Sequence, residues 1–163
     1  MYFTSLPDHK DPLFDEQRHF ALFREHNIVF NAAVYKSGCD DHVGCLSLKM
    51  VFKGEEWYKV GGVSYKVQPG RYMILNEGQN YGSAIRSETA VRSFSLFFKP
   101  QFASGVYRHL QTTLDSSLDD PTGEGPLPRF YQKLFTADAR FLHHIRALLC
   151  RLDAEGYTST GTD

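Results

Sequence analysis

From Ile28 to Phe98 apolar residues recur at every second position, in short runs broken by Gly and Pro: IVFNAAVY, CLSLKMVF, EEWYKV, VSYKV, RYMIL, YGSAI and VRSFSLFF. This pattern predicts about seven short strands. The cleanest alternation is in CLSLKMVFK, where Leu46, Leu48, Met50 and Phe52 share one face and Ser47, Lys49 and Lys53 share the other. The expectation is that the apolar face meets the core. Gly61-Gly62, between EEWYKV and VSYKV, supplies the positive φ that a tight hairpin needs. Short strands separated by turn signals predict an antiparallel sandwich or small barrel of jelly-roll type, not a βαβ sheet.

Past Pro100 the period lengthens. Phe102, Val106, Leu110 and Leu114 recur at helical spacing, with Gly105 a minor weakness. SSLDDPTGEGPLP reads as a loop, and Phe130, Tyr131, Leu134 and Phe135 predict a short helix after it. Asp138 is placed to cap a last helix, whose apolar stripe of Phe141, Leu142, Ile145, Leu148, Leu149 and Leu152 runs until Gly156. That stripe needs a partner surface. The tail GYTSTGTD has linker composition. The fold class is thus mainly β with two to three C-terminal helices in a single domain: an arm and lead-in over 1–27, a barrel over 28–99, helices over 100–156 and a linker over 157–163.

Composition narrows this picture. A chain of 163 residues buries roughly 70% of its unfolded surface, enough for one core. Its 13 Phe and 9 Tyr suggest an aromatic-rich interior or cavity. A formal charge of -1 offers no field to attract phosphates, so the chain is not expected to hold nucleic acid by itself. Cys39, Cys45 and Cys150 are odd in number and lack metal-type spacing, which fits reduced thiols and a cytoplasmic setting. No apolar run approaches the length of a membrane span, and MYFTSLPDHKDP lacks the regions of a signal peptide, so membrane insertion is not expected.

The stretch VQPGRYMILNEGQNYG sharpens the fold. Gly70 and Gly78 bracket a strand of five residues plus Asn76 and Glu77, in the register of two sharp corners. The arrangement resembles the second box of the cupin superfamily, with Asn76 where that box has proline and Tyr81 where it has a metal-binding histidine. Its first box, with two histidines and a glutamate, finds a loose counterpart in Met50, Phe52 and Glu55 or Glu56. Neither Met50 nor Phe52 has the lone pairs that a hard or borderline metal requires, so no metal and no cofactor is expected.

GGVSYKVQPGRYMILNEGQNY, followed by FSLFFKP running into a helix, more narrowly resembles the N-terminal half of AraC-type transcription regulators, most strongly over residues 60 to 100. The resemblance implies a cupin-like barrel that binds a small effector, helices that form a homodimer, and a separate domain with two helix-turn-helix units that binds DNA and lies outside this chain. It implies a bacterial-type regulator whose arm, with Tyr2, Phe3 and Leu6, can take part in switching.

If the expected inward faces line a cavity, a sugar or another small polar or aromatic effector meets Met50, Phe52, Tyr65, Tyr72 and Tyr81, with Trp57 or Tyr58 at the mouth. The alternative is that these side chains fill a small barrel. Tyr81 stands out, because the resemblance points its slot into the barrel. Arg86 and Arg92 flank the last hairpin, where a guanidinium can clamp a carboxylate or phosphate, or simply be solvated. His42, in the loop-like GCDDHVG beside Asp40 and Asp41, could catch a cation, but one short loop rarely supplies a full shell, and His143 and His144 point apart on a helix.

For a dimer seam, Phe141, Ile145, Leu148, Leu149 and Leu152 are the candidates, the alternative being that they pack on the chain's own barrel. No catalytic set is read: there is no Gly-x-Ser-x-Gly elbow and no His-x-His pair. The alternatives are a metal-free cupin enzyme of sugar isomerase or epimerase type, with a His or Glu base inside the barrel, and a carbohydrate-binding module.

Overall fold

The computed structural model describes residues 1–7, 9, 11–111 and 126–155. In chain order it runs β1 (Tyr2–Phe3), α1 (Glu16–Glu25), β2 (Ile28–Val43), β3 (Ser47–Lys53), β4 (Glu56–Val60), β5 (Val63–Val67), β6 (Arg71–Leu75), β7 (Asn80–Phe97), α2 (Pro100–Gln111), β8 (Leu134–Thr136) and α3 (Ala139–Ala154). The mainly β architecture with C-terminal helices is the expected one. Leu114, most of the SSLDDPTGEGPLP loop, Gly156 and the linker lie outside the described residues.

β7 is the spine of the sheet. Along its whole length it pairs antiparallel with β2, from Ile28 opposite Phe97 to Val43 opposite Asn80. Its second half also pairs with β3 and its first half with β4. YGSAI and VRSFSLFF, separate in the alternation, are therefore one strand. β2 likewise continues through GCDDHV, expected as a loop, because β7 offers backbone partners that its polar side chains do not oppose; a register shift between Cys39 and His42 absorbs the extra residue.

Two features depart from a closed antiparallel barrel. β1 lies parallel to β2, with Tyr2 opposite Val29, and the sheet runs open from β1 to β8. Edge strands of two and three residues have few backbone groups to offer, so they end the sheet and do not pair with each other to close it. The sheet still curls tightly enough for Val51, Tyr58, Val67, Met73, Tyr81 and Ile85 to meet in one core.

The turn chemistry is as expected. Gly61 and Gly62 have φ of 56° and 81° in the β4–β5 hairpin, and Gly70 and Gly78 have φ of 83° and 73° at the corners flanking β6. Asn76, in the slot of the box's proline, donates from Nδ2 to the Phe130 carbonyl at 2.9 Å and accepts from the Phe130 N–H at 2.8 Å. It clamps the segment that enters β8, so Leu134 and Phe135, expected in a helix, sit in a strand paired with β6.

The lead-in holds an unforeseen helix. Asp15 caps α1 by accepting from the Arg18 N–H at 2.9 Å, and Phe23 packs with Ile28, Phe30 and Phe97. α3 begins at Asp138, which accepts from the Phe141 N–H at 2.7 Å. Its stripe lands on the outer side of β3, where Ile145 and Leu149 are buried with Leu48, Met50 and Phe94. Tyr72 stacks between Phe135 and Phe141, at centroid distances of 5.2 and 4.4 Å.

Candidate functional site

Because α3 takes the Leu48–Met50 face, β3 turns its polar face inward. Ser47 and Lys49 are 0% and 3% exposed and Val51 follows them into the core, so both faces of this strand are buried. The expectation that only the apolar face meets the core is corrected here. β7 does the same: Phe94 goes under α3, while Ser93, Ser95 and Phe97 face the interior. On β4, Glu56 and Tyr58 point in, and Trp57 and Lys59 point out.

These side chains line a cavity of about 80 Å³. Lys49, Glu56, Tyr58, Tyr81, Ser93 and Ser95 form its inner walls, and β2 adds Cys39 and His42. Toward solvent the lining turns apolar, with Leu6, Pro7, Phe20, Phe23 and Phe30 from the N-terminal segment, α1 and β2, and His9 and His19 among them.

The electrostatics centre on Lys49. Burial lowers its ammonium pKa to about 8, with Glu56, Cys39 and Cys45 opposing the shift. Its Nζ sits 3.6 Å from the Phe97 ring centroid and 5.5 Å from that of Tyr81. Among the described residues no carboxylate lies within ion-pair distance of it and no acceptor holds it. Burial raises the Glu56 carboxyl, against a 2.7 Å hydrogen bond donated by Ser93 Oγ. Tyr58 and Tyr81 are raised well above the ordinary phenol range by burial. Burial works to raise Cys39, but hydrogen bonds with His42 and Ser83 outweigh it and leave the thiol below its ordinary value. His42 is raised, chiefly by Cys39. Cys45 is pushed up to about 11 by burial and by Glu77, and His19 down to about 4 by burial, with His9 and His42 adding to it.

Of the residues expected to line a pocket, Tyr81 does so: it is 4% exposed, with its ring 4.5 Å from His42. Met50, Phe52 and Tyr72 lie on the opposite face, packed with α3. Trp57 is 40% exposed and donates from Nε1 to Glu55 at 3.3 Å. Tyr65 borders a separate open groove with Lys59, Asn80 and Gln132. Arg86 and Arg92 are exposed on β7, and His143 and His144 are exposed on α3. Of the expected dimer seam, Ile145 and Leu149 are buried inside the chain, Phe141 and Leu152 pack beside them, and Leu148 is half-buried outside that cluster. Among the described residues no three His, Cys, Asp or Glu side chains gather to hold a metal, and Tyr81 fills the slot of the cupin histidine with a phenol. No described helix is long and apolar enough to cross a membrane.

Lys49 escaped the sequence reading because alternation placed it on the face away from the core, Ser93 and Ser95 were not singled out, and Glu56 entered only as the loose counterpart of the first box's glutamate. The signal that locates them is the α3 stripe: an apolar helix face needs an apolar sheet face, and giving it Met50 and Phe94 sends their polar neighbours inward.

No known family profile and no curated protein matches the chain. Among solved structures, an apo form of ToxT from Vibrio cholerae aligns with a TM-score of 0.50 at 12% identity, over 76% of this chain and 45% of ToxT. ToxT with an unsaturated fatty acid bound aligns at 0.46 and 15% identity, over 74% of this chain and 42% of ToxT. A cupin domain of an XRE-family regulator from Enterobacter cloacae aligns at 0.34 and 19% identity, over 44% and 76%. The chain spans less than half the length of ToxT. At these identities the likeness is one of fold: the chain shares the cupin-like fold of the N-terminal domain of ToxT, an AraC-type regulator, in agreement with the resemblance carried by residues 60 to 100.

Proposed function

We propose that this chain is the effector-sensing domain of an AraC-type transcription regulator and takes a small molecule in the cavity between the sheet and α1. The observation that carries the reading is the polar inner wall. Lys49, Glu56, Ser93 and Ser95 face inward where hydrocarbon packing would be more stable, and buried polar groups cost free energy unless something satisfies them. The shared cupin-like fold supports it. In this reading the protein is cytoplasmic, and DNA is bound by a separate helix-turn-helix domain. Homodimerisation uses surface that α3 packing leaves open, such as Leu148, and not the buried Ile145 and Leu149.

The route for a signal is the N-terminal segment. Leu6 and Pro7 wall the cavity, while the Tyr2 hydroxyl donates to Asp153 near the end of α3 at 2.8 Å. An effector that favours one placement of this segment shifts the population of α3 arrangements with it. The test is a thermal-shift screen of sugars, small acids and aromatic compounds on wild type and on Ser93→Leu, which fills the inner wall. A compound that raises the wild-type melting temperature and not that of Ser93→Leu supports the reading. A panel without effect on wild type overturns it.

A second reading is favoured by Glu56, which lies inside the cavity as the isomerase or epimerase alternative requires of its base. Turnover of a sugar panel by wild type, lost in Glu56→Gln, would establish it. Its absence across the panel returns Glu56 to the role of a hydrogen-bond partner for Ser93.

A further inference from the structure

We infer that Cys39 is a covalent site for small α,β-unsaturated carbonyl compounds, with His42 as the base that prepares its thiol. The inference goes beyond the sensing reading, because it stands whether or not a reversible effector is found.

Backbone geometry brings the pair together. Residues three apart on a regular strand point to opposite faces, yet Cys39 and His42 on β2 both line the cavity, because the register against β7 shifts between them. His42 Nδ1 lies 3.0 Å from the Asp40 carbonyl oxygen, which can only accept, so Nδ1 carries a proton and Nε2 is left for the thiol. Cys39 Sγ also lies 3.4 Å from Ser83 Oγ. A nucleophile, its base and a group that orients the base are thus in place, and the contacts with His42 and Ser83 hold the thiol below its ordinary pKa against burial. The other titratable groups around the pair are His9 in the N-terminal segment, His19 on α1, Cys45 before β3, Lys49 on β3, Glu56 and Tyr58 on β4 and Tyr81 on β7. Only Glu56 among them is a carboxylate, and burial favours its neutral form, so little negative charge opposes a thiolate.

The cavity selects the electrophile by size and polarity. About 80 Å³ exceeds the ~10–15 Å³ that one water takes on the same measure, which leaves room for a few carbons and an oxygen. The lining toward solvent is apolar, with Leu6, Phe20 and Phe23, while the inner wall holds hydroxyls that can donate to a carbonyl. In the addition, sulfur bonds to the β carbon and the C=C π pair moves onto the carbonyl oxygen. Burial keeps Tyr81 a phenol, a donor for that oxygen. The enolate then collapses as its α carbon takes up the proton that His42 removed from the thiol. The product is a thioether; nothing leaves, and no oxidant is consumed.

The experiment is peptide mapping by mass spectrometry of the full chain after brief exposure to 2-cyclohexen-1-one, with cyclohexanone as the unreactive control and iodoacetamide as a general thiol probe. Cys39, Cys45 and Cys150 compete within one molecule, so the first comparison needs no variant. A thiol whose pKa falls by one gains about tenfold in thiolate at neutral pH and loses about threefold in nucleophilicity. Half-buried Cys39 should therefore outpace exposed Cys150 by about threefold or more with cyclohexenone, and Cys45, pushed up to about 11, should lag Cys39 by at least about tenfold. In His42→Gln the pH at which Cys39 reaches half its maximal rate moves up, while the profile of Cys150 stays where it was. Cyclohexenone adducts on Cys150 or Cys45 at or above the rate of Cys39 overturn the proposal. Iodoacetamide selective for Cys39 with cyclohexenone inert there overturns the carbonyl class, and an unmoved Cys39 profile in His42→Gln overturns the role of the base. Each of these results leaves the sensing reading to its own reversible screen.

Discussion

Lys49 sits in the run LSLKMVF and ends with its ammonium against two rings and no carboxylate. The cost follows from linkage. Its pKa is about 8 in the fold against 10.5 ordinarily, so the unfolded chain binds more protons between those values and stability rises with pH across that window. Below about pH 8 the full penalty applies, on the order of 3 kcal/mol. Lys49→Met removes it, so in urea unfolding at pH 7 the variant should be more stable by up to that amount, the gain shrinking toward pH 10. Cys45 acts oppositely between 9 and about 11, and comparing the two proteins at each pH cancels it. His19, held down to about 4, gives the acid counterpart: the unfolded chain binds the extra proton between about 4 and 6.5, so stability is lost as pH falls through that range. His19→Phe should flatten that limb of the profile.

Among the elements, hairpins and caps were legible and strand facing was not. The Gly61-Gly62 turn and the Asp138 cap depend on neighbours in sequence and stand where expected. Asp138→Ala should cost about 1 kcal/mol, read by thermal melting of α3 helicity. The facing of β3 was read only in half: the apolar face is buried as expected, but alternation shows that two faces differ and not that a later helix will cover one while the other lines a cavity. Leu149→Ala, at the centre of that covering contact, should cost about 2–5 kcal/mol. β8 misled for a related reason. Phe130, Tyr131, Leu134 and Phe135 fit a helical period, but Asn76 and the free edge of β6 hold the segment extended, and Tyr131 stays 88% exposed.

At the scale of the whole molecule, the N-terminal segment joins parts that are far apart in sequence. Tyr2 is 1% exposed, its hydroxyl accepts from Asn31 Nδ2 at 3.0 Å and donates to Asp153, and Leu6 walls the cavity. Deleting residues 1–6 should weaken ligand binding and speed amide exchange near the end of α3; protection unchanged around Asp153 would break the link. For assembly, Leu148→Glu should leave the fold intact and Leu149→Glu should undock α3, and only a dimer built on the outer side of α3 becomes monomeric with the first. The sequence by itself determined the β-then-α order, the tight turns and the corner glycines, since these answer to local conformational preference and to period, while the inward Tyr81 followed from the family resemblance. Tertiary structure alone decided that the sheet stays open, that α3 claims the apolar side of β3, and that Lys49 and Glu56 face a cavity, since burial is settled by which surfaces meet, and the surfaces that met here lie about 100 residues apart.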